Sequence, residues 1–421
     1  MLASFRTRAL RGGKILQEGG RNLFVFGRGG LHRKKEGIRA FSKLWRNEPL
    51  QVTKCQHGME HERRRVLMIY TGGTIGMTMT DRGLAPYEGY LEEQVMKMDE
   101  ISGNPRVPMV DILRWDTLVD SSNMDPASWA LLARQIEEYY FHYDGFVILH
   151  GTDTMAYTAS ALSFILENLG KPVVLTGSQI PFCEVYNDAR RNLLVSAIFA
   201  GLTEIPEVSL FFDQHLFRGN RSKKVDSRGL SAFETPNFPP LATLQNNIHI
   251  RHDLVRKQPN GRLRVHPYVE SNIAVLHMVP GFDDAFLQAL TGSNLDGLIL
   301  HLYGTGNAPS KKASFLKAIS DITDGGTAVV AISQCARGAV NMEQYEVGVA
   351  MKEIGVMNGN DMTVEAACTK LGYLLTRGLS QEVFKSAVEN SLRGELSTAG
   401  ERDGETMMPS FFKDEDKWYN L

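Results

Sequence analysis

Thr71-Gly72-Gly73-Thr74-Ile75-Gly76-Met77 directly follows the apolar run Val66-Leu67-Met68-Ile69-Tyr70. The run is short enough for a buried strand. A strand that meets two adjacent glycines must turn, because glycine admits positive φ and lets other groups approach its backbone. Thr74 then stands at the carboxyl end of a strand, the edge where open α/β sheets bind ligands. Two generic readings fail. A phosphate loop would need Gly-Lys-Ser/Thr, and a dinucleotide fingerprint would need Gly-x-Gly-x-x-Gly, whereas the glycines here are Gly72, Gly73 and Gly76. A tight turn with an incidental threonine is the alternative.

A second strand-like run, Phe146-Val147-Ile148-Leu149, leads into His150-Gly151-Thr152-Asp153-Thr154-Met155. Again a strand ends in glycine and threonine, and here a carboxylate follows. The next helix is expected over about Thr154 to Asn168, with Asp153 or Thr154 as its N-cap. Helix capping is therefore the structural explanation that competes with any catalytic role for Asp153.

Together the two stretches resemble the two threonine signatures of the asparaginase/glutaminase family. Their wording is closest to the type I, cytosolic-type L-asparaginases, and the resemblance runs from about Arg65 to about Leu392. It implies an α/β protein of two α/β domains. The larger N-terminal domain would hold a mainly parallel, flavodoxin-like sheet, and the C-terminal domain would be smaller.

Composition sets wide bounds. At 421 residues, two domains is the soft expectation. The chain is 43% hydrophobic and 22% charged, ordinary for a globular protein. Its apolar runs fall well short of the ~18 residues that span a bilayer. A net charge of −2 gives no overall attraction to nucleic acid. Cys55, Cys183, Cys335 and Cys368 show no C-x-x-C spacing, so neither a zinc site nor a disulfide framework is indicated. A reducing compartment fits them best. No H-E-x-x-H pair occurs. No metal or cofactor is implied.

Residues 1–64 read as a flexible basic extension. From Arg6 to Arg46 only Glu18 and Glu36 oppose many Lys and Arg. That composition fits a mitochondrial transit peptide, a disordered basic arm, or an extension with no targeting role. The expected address is the cytoplasm, with the mitochondrion as alternative. Residues 65–250 form the expected N-terminal domain, 251–270 a linker, 271–393 the C-terminal domain and 394–421 a frayed tail.

Met77 to Tyr90 is polar and turn-rich, and reads as a mobile loop over the ligand edge. Asp120-Ser121-Ser122-Asn123 precedes a helix from Pro126 to Tyr140, with Asp125 as cap. Val173-Val174-Leu175 and Val208 to Phe212 are further strands, with a helix from Asn187-Asp188 to Ala200 between them. This strand–turn–helix rhythm indicates a parallel sheet covered by helices. A second such pattern follows, with strands near Ala274–Leu276, Leu298–Leu300 and Ala328–Ile332. Helices are expected near 283–291, 310–323, 363–376 and 380–391.

The resemblance implies site residues. Thr74 would be the nucleophile on the side-chain amide of asparagine, through an acyl-enzyme. Thr152, Asp153 and Lys224 would form a second linked group that activates water. Tyr87, on the loop after Thr74, or Tyr303, in the second domain, would assist. Asp120 would face the substrate ammonium and Ser121 the carboxylate, beside Gly73 and Gly151. Each also has a plain reading: capping serines, a solvated basic loop at Arg218–Lys224, tyrosines packed at a domain edge.

A regulatory asparagine site in some bacterial members uses a threonine, an arginine and a cysteine. Lys223 and His301 depart from that pattern and Cys335 keeps it, which puts such control in doubt. A homodimer or homotetramer with no membrane partner is implied. Two other classes remain: the amidase subunit of a tRNA-dependent amidotransferase, and a non-catalytic amino-acid-binding protein. Lysophospholipase activity has been linked to animal relatives, but no Gly-x-Ser-x-Gly elbow is present.

Overall fold

The apolar run at Arg65–Tyr70 is a strand, buried from Val66 to Tyr70, in a computed structural model that describes residues 52–54, 63–81, 83–267, 271–397 and 418–419. Met109–Arg114 pairs with it in parallel on one side and Gly145–Leu149 on the other. Val173–Thr176 and Val208–Phe212 continue the parallel set. Numbered along the chain, these five strands lie in the order 2-1-3-4-5, the flavodoxin-like arrangement. Antiparallel strands flank them: Val52–Lys54 at one edge, and His215–Arg218, Ala242–Leu244 and Ile248–Ile250 toward the other.

Side chains alternate across this sheet, as a pleated strand requires. Leu67, Ile69, Phe146 and Ile148 face a core shared with helices Pro126–Tyr139 and Met155–Ile165. Val66, Met68, Val147 and Leu149 face a second core, under helix Ala189–Leu202. Both faces are therefore dry, which is why the strands read as continuous apolar runs.

A smaller parallel sheet follows, from Ile273–His277, Gly297–Leu302, Ala328–Ser333 and Met357–Asn358. Helix Val364–Leu375 joins it to the first sheet by packing on helix Met155–Ile165. Ser160 and Thr369 hydrogen-bond there at 2.8 Å. Phe164 stacks on Tyr373 with ring centroids 5.8 Å apart, a contact worth about 1 kcal/mol beyond its area. Ile299 and Val330 of the small sheet belong to the same apolar cluster as Leu67 of the large one.

Several expectations need correction. Met109–Arg114 escapes pattern reading because Asp111 interrupts its apolar run. In the fold that buried carboxylate accepts from Arg65 at 2.7 Å and from the Tyr143 hydroxyl at 2.9 Å. The stretch expected as a mobile loop contains a β-hairpin, Met77–Thr80 against Gly83–Pro86, and helix Tyr90–Met96 begins where that loop was to end. The helix expected to reach Asn168 stops at Ile165, and Leu166–Glu167 pairs with Arg264–Val265.

The supposed linker is thus partly docked, with Leu263 and Val265 against the core. Glu167 fixes that junction, accepting from Tyr373 at 2.6 Å and from Arg264 and Arg377. The tail does not fray at Gly394. Glu395 is fully buried and binds Lys370 at 2.6 Å, and Ser397 donates to Asp361. At the other end Val52–Lys54 is a strand at the sheet edge, antiparallel to Met109–Arg114. The acid-poor stretch from Arg6 to Arg46 lies outside the described residues.

Candidate functional site

Tyr70 and Leu149 are register partners on adjacent parallel strands, so both chains leave the sheet at the same edge. In the 2-1-3-4-5 order this is the point where the strand order reverses, the crevice where such sheets take ligands. The Thr71 hydroxyl and amide both donate to the Leu149 carbonyl, at 3.0 and 3.1 Å. The Val119 amide in turn donates to the Thr71 carbonyl at 2.7 Å.

Three loops meet here with almost no space between their backbones. Gly73 has φ +91°, and a Cβ on it would lie 2.5 Å from the Gly151 nitrogen. A Cβ on Gly72 would lie 2.3 Å from the Val119 carbonyl oxygen. A Cβ on Gly151 would lie 2.6 Å from the Ser121 Oγ. The two threonine signatures and the Asp120–Ser121 loop are therefore one knot. Gly72 and Gly73 are required by positive φ as well as by proximity, and Gly151 by proximity alone. Thr74, half-buried, opens the short 3-10 turn Thr74–Gly76 directly after this contact.

Asp120 caps a 3-10 turn at Ser121–Asn123. Its carboxylate accepts from the Ser122 hydroxyl at 2.7 Å and amide at 2.8 Å, and these bonds hold it below the usual carboxylate range. Ser121 is buried, and its carbonyl accepts from the Thr154 hydroxyl at 2.6 Å.

The third strand exit adds the polar group. The Lys224 ammonium donates to Thr152 Oγ1 at 2.8 Å and to Asp153 Oδ1 at 2.7 Å. The Thr152 hydroxyl donates in turn to Gln179 Oε1 at 3.4 Å. Gln179 is held by its Nε2, which donates to the Gly229 carbonyl at 3.1 Å, and by its amide on Asp188 at 3.0 Å. The carboxylate of Asp153 points to Lys224. Thr154 stands at the N-cap with no side-chain capping bond, so Asp153 is not the helix cap.

Beneath the knot lies His150, completely buried; burial pushes it down to about 4, so it is neutral at physiological pH. Its bonds fix the tautomer. Nδ1–H donates to the Gly151 carbonyl at 2.6 Å. Nε2 accepts from the Thr158 hydroxyl at 2.9 Å, while Trp129 Nε1–H donates to Thr158 at 3.1 Å. A chain of donors thus holds Gly151 from below.

Gly73, Gly151 and Ser121 meet in the knot, and Thr152, Asp153 and Lys224 are joined by hydrogen bonds beside it. The tyrosines do not join them by hydrogen bonds. Tyr87 is 64% exposed beyond the hairpin, and Tyr303 is bridged to Asn307 at the end of a small-sheet strand. Neither phenol bonds Thr74 among the described residues. His150 and Gln179 were missed. His150 adjoins Gly151, and Gln179 follows the glycine exit at Thr176-Gly177-Ser178, so position relative to a strand end was the available signal.

Lys223, His301 and Cys335 do share a small cavity, of about 20 Å³, room for about one water. His301 Nδ1 sits 2.9 Å from His277 Nδ1. Among the described residues no three His, Cys, Asp or Glu side chains gather as metal ligands, and no helix is long and apolar enough to cross a membrane.

Comparison with known proteins adds family. The family model "Asparaginase, N-terminal" matches residues 65–256, and "Glutaminase/Asparaginase C-terminal domain" matches residues 272–387. The chain is 46% identical to L-asparaginase 1 of Escherichia coli K12 over 80% of its own length and 99% of that protein. It is 41% identical to the human 60 kDa lysophospholipase over 79% of its length and 62% of that protein. The crystal structure of L-asparaginase I from Vibrio cholerae superposes with a TM-score of 0.74 at 43% identity, covering 80% of this chain and all of that one.

Proposed function

The chain belongs to the asparaginase family, and from that premise we propose that it hydrolyses the side-chain amide of L-asparagine to L-aspartate and ammonia. The observation that carries the reading is the Lys224 ammonium bonded to both Thr152 and Asp153, where the glycine loops of two strands touch. A turn built only for packing has no use for a half-buried cation on a threonine hydroxyl.

Thr74 is the nucleophile. Its hydroxyl oxygen bonds to the amide carbon and its proton leaves with the amine, so ammonia departs and an ester remains. Water then adds to that ester, returns a proton to Thr74 Oγ1 and releases aspartate. A threonine hydroxyl is weak at neutral pH and needs help to lose its proton. A tyrosine, Tyr87 or Tyr303, gives that help at the first step. Thr152 activates the water at the second, its oxygen made more acidic by the Lys224 charge that Asp153 holds in place.

Asp120 faces the substrate ammonium, and Ser121 donates to its carboxylate, with Gly73 and Gly151 as the bare walls that let it approach. A buried zwitterion needs both partners, because an unpaired charge is costly to desolvate. We assign the enzyme to the cytoplasm, as a homodimer or homotetramer.

The test is ammonia release from L-asparagine by the purified chain alone, with Thr74→Ala and Lys224→Met beside it. Turnover by the wild type and its loss in both variants is expected. Wild-type turnover in either variant would overturn the assignment, and turnover that required a partner subunit would favour the amidotransferase reading.

A further inference from the structure

A second polar cavity, of about 210 Å³, lies where the Val208–Phe212 strand, the segment after Leu254 and the chain near Arg393 meet. Arg218, Arg256, Lys257 and Arg393 line it, and Glu207 is the carboxylate among its lining residues. That carboxylate is already engaged. It accepts from Arg218 Nε at 2.6 Å and Nη2 at 3.2 Å, and from the Arg256 amide at 2.6 Å. Glu395, buried nearby, is taken by Lys370.

Arg218 Nη2 also donates to the Leu254 carbonyl at 2.6 Å, which leaves Arg256 and Arg393 with donors unengaged among the described residues. The Arg256 guanidinium makes no hydrogen bond among the described residues. Arg393 Nε is buried without a partner, although its Nη1 donates to the Leu392 carbonyl at 3.0 Å. Burial is the largest influence on the Arg256 guanidinium and lowers its proton affinity; Glu207 and, more weakly, Glu395 oppose this, and Arg393 and Arg218 push the same way as burial. Like charges gathered around an open volume repel one another unless an anion sits between them. The guanidinium fork, which cannot be deprotonated at neutral pH, matches phosphate geometry.

We propose that this cavity binds a polyvalent oxyanion, the phosphate group of a small molecule or free phosphate, gripped by Arg256 and Arg393 with Lys257 at the mouth. It is separate from the amide-cleaving site and does not depend on that assignment. No residue of the Thr152, Asp153 and Lys224 group lines it.

The test is thermal unfolding of the full chain against rising inorganic phosphate and, separately, pyrophosphate, at constant ionic strength with chloride as the balancing anion. A ligand that binds only the native state raises the midpoint by roughly 5 °C at a hundredfold excess over its dissociation constant. A saturable rise is expected, with the midpoint concentration shifted at least tenfold in Arg256→Gln and the unliganded melting point unchanged. Lys257→Gln, at an exposed position, should shift it less, and serves if Arg256→Gln does not fold. Tighter binding of pyrophosphate than of phosphate points to a phosphate ester as the natural occupant, and equal binding to free phosphate. A response that chloride reproduces, no saturable response to either ion, or equal binding by both variants and wild type would overturn the site.

Discussion

The Lys224 ammonium donates to the Thr152 hydroxyl over 2.8 Å, across 72 residues of chain, and its side chain is only 17% exposed. Lys224→Met keeps the side chain's length and removes its charge. It should lower kcat for ammonia release by about 10²-fold or more, since an oriented polar group is commonly worth ~3 kcal/mol in the barrier. Asp153→Asn should cost less, because that carboxylate is 68% exposed and water can replace part of its work. Steady-state kinetics with asparagine separates the two.

Gly73 and Gly83 both have positive φ, +91° and +101°, but differ in room. An added Cβ at Gly73 meets the Gly151 backbone, whereas at Gly83 nothing lies within 4 Å. Gly83→Ala should cost only backbone strain, about 1–2 kcal/mol, and leave turnover intact. Gly73→Ala should destroy turnover, because two backbones must separate to admit the methyl group. Activity of both variants, with unfolding curves, decides.

His150 makes stability depend on pH. Its folded value, about 4, lies below the ~6.5 of an unfolded chain. As pH falls the unfolded chain takes the proton first. The contribution is therefore complete above about pH 6.5 and is lost as pH falls through 4. Between pH 7 and pH 5 this amounts to about 2 kcal/mol. Urea unfolding at the two pH values should show a difference smaller by that amount in His150→Gln than in wild type.

Lys370 and Glu395 form an ion pair that is 1% and 0% exposed. Lys370→Met leaves a buried carboxylate with only the Leu392 and Arg393 amides, and should cost about 3–5 kcal/mol. Adding Glu395→Gln should recover part of that loss. Denaturation of the single and double variants gives the coupling.

Tyr87 is exposed and its phenol is unbonded among the described residues, whereas Tyr303 packs against the core of the small sheet. Its place beyond the hairpin that starts after Thr74 favours Tyr87 as the group that swings in. Tyr87→Phe should lower kcat with little change in stability, and Tyr303→Phe should do neither. Single-turnover ammonia release reads the first step directly.

Local chain chemistry alone determined the parallel sheet and the glycine–threonine exits. Apolar runs ending in glycine fix where strands stop, whatever else is present. By resemblance, the same stretches named Thr74, Thr152 and Asp153 as candidates, and the basic loop Arg218–Lys224 named Lys224. Tertiary structure decided what no local pattern contains. Asp111 sits in a strand because Arg65 and Tyr143 reach it from elsewhere. Residues 394–397 are ordered because Lys370 and Asp361 wait for them. Asp153 serves Lys224 rather than its helix, and His150 is neutral, because burial and bonding partners are set by distant segments. A side chain's type limits the bonds it can make, and only the packed chain chooses among them.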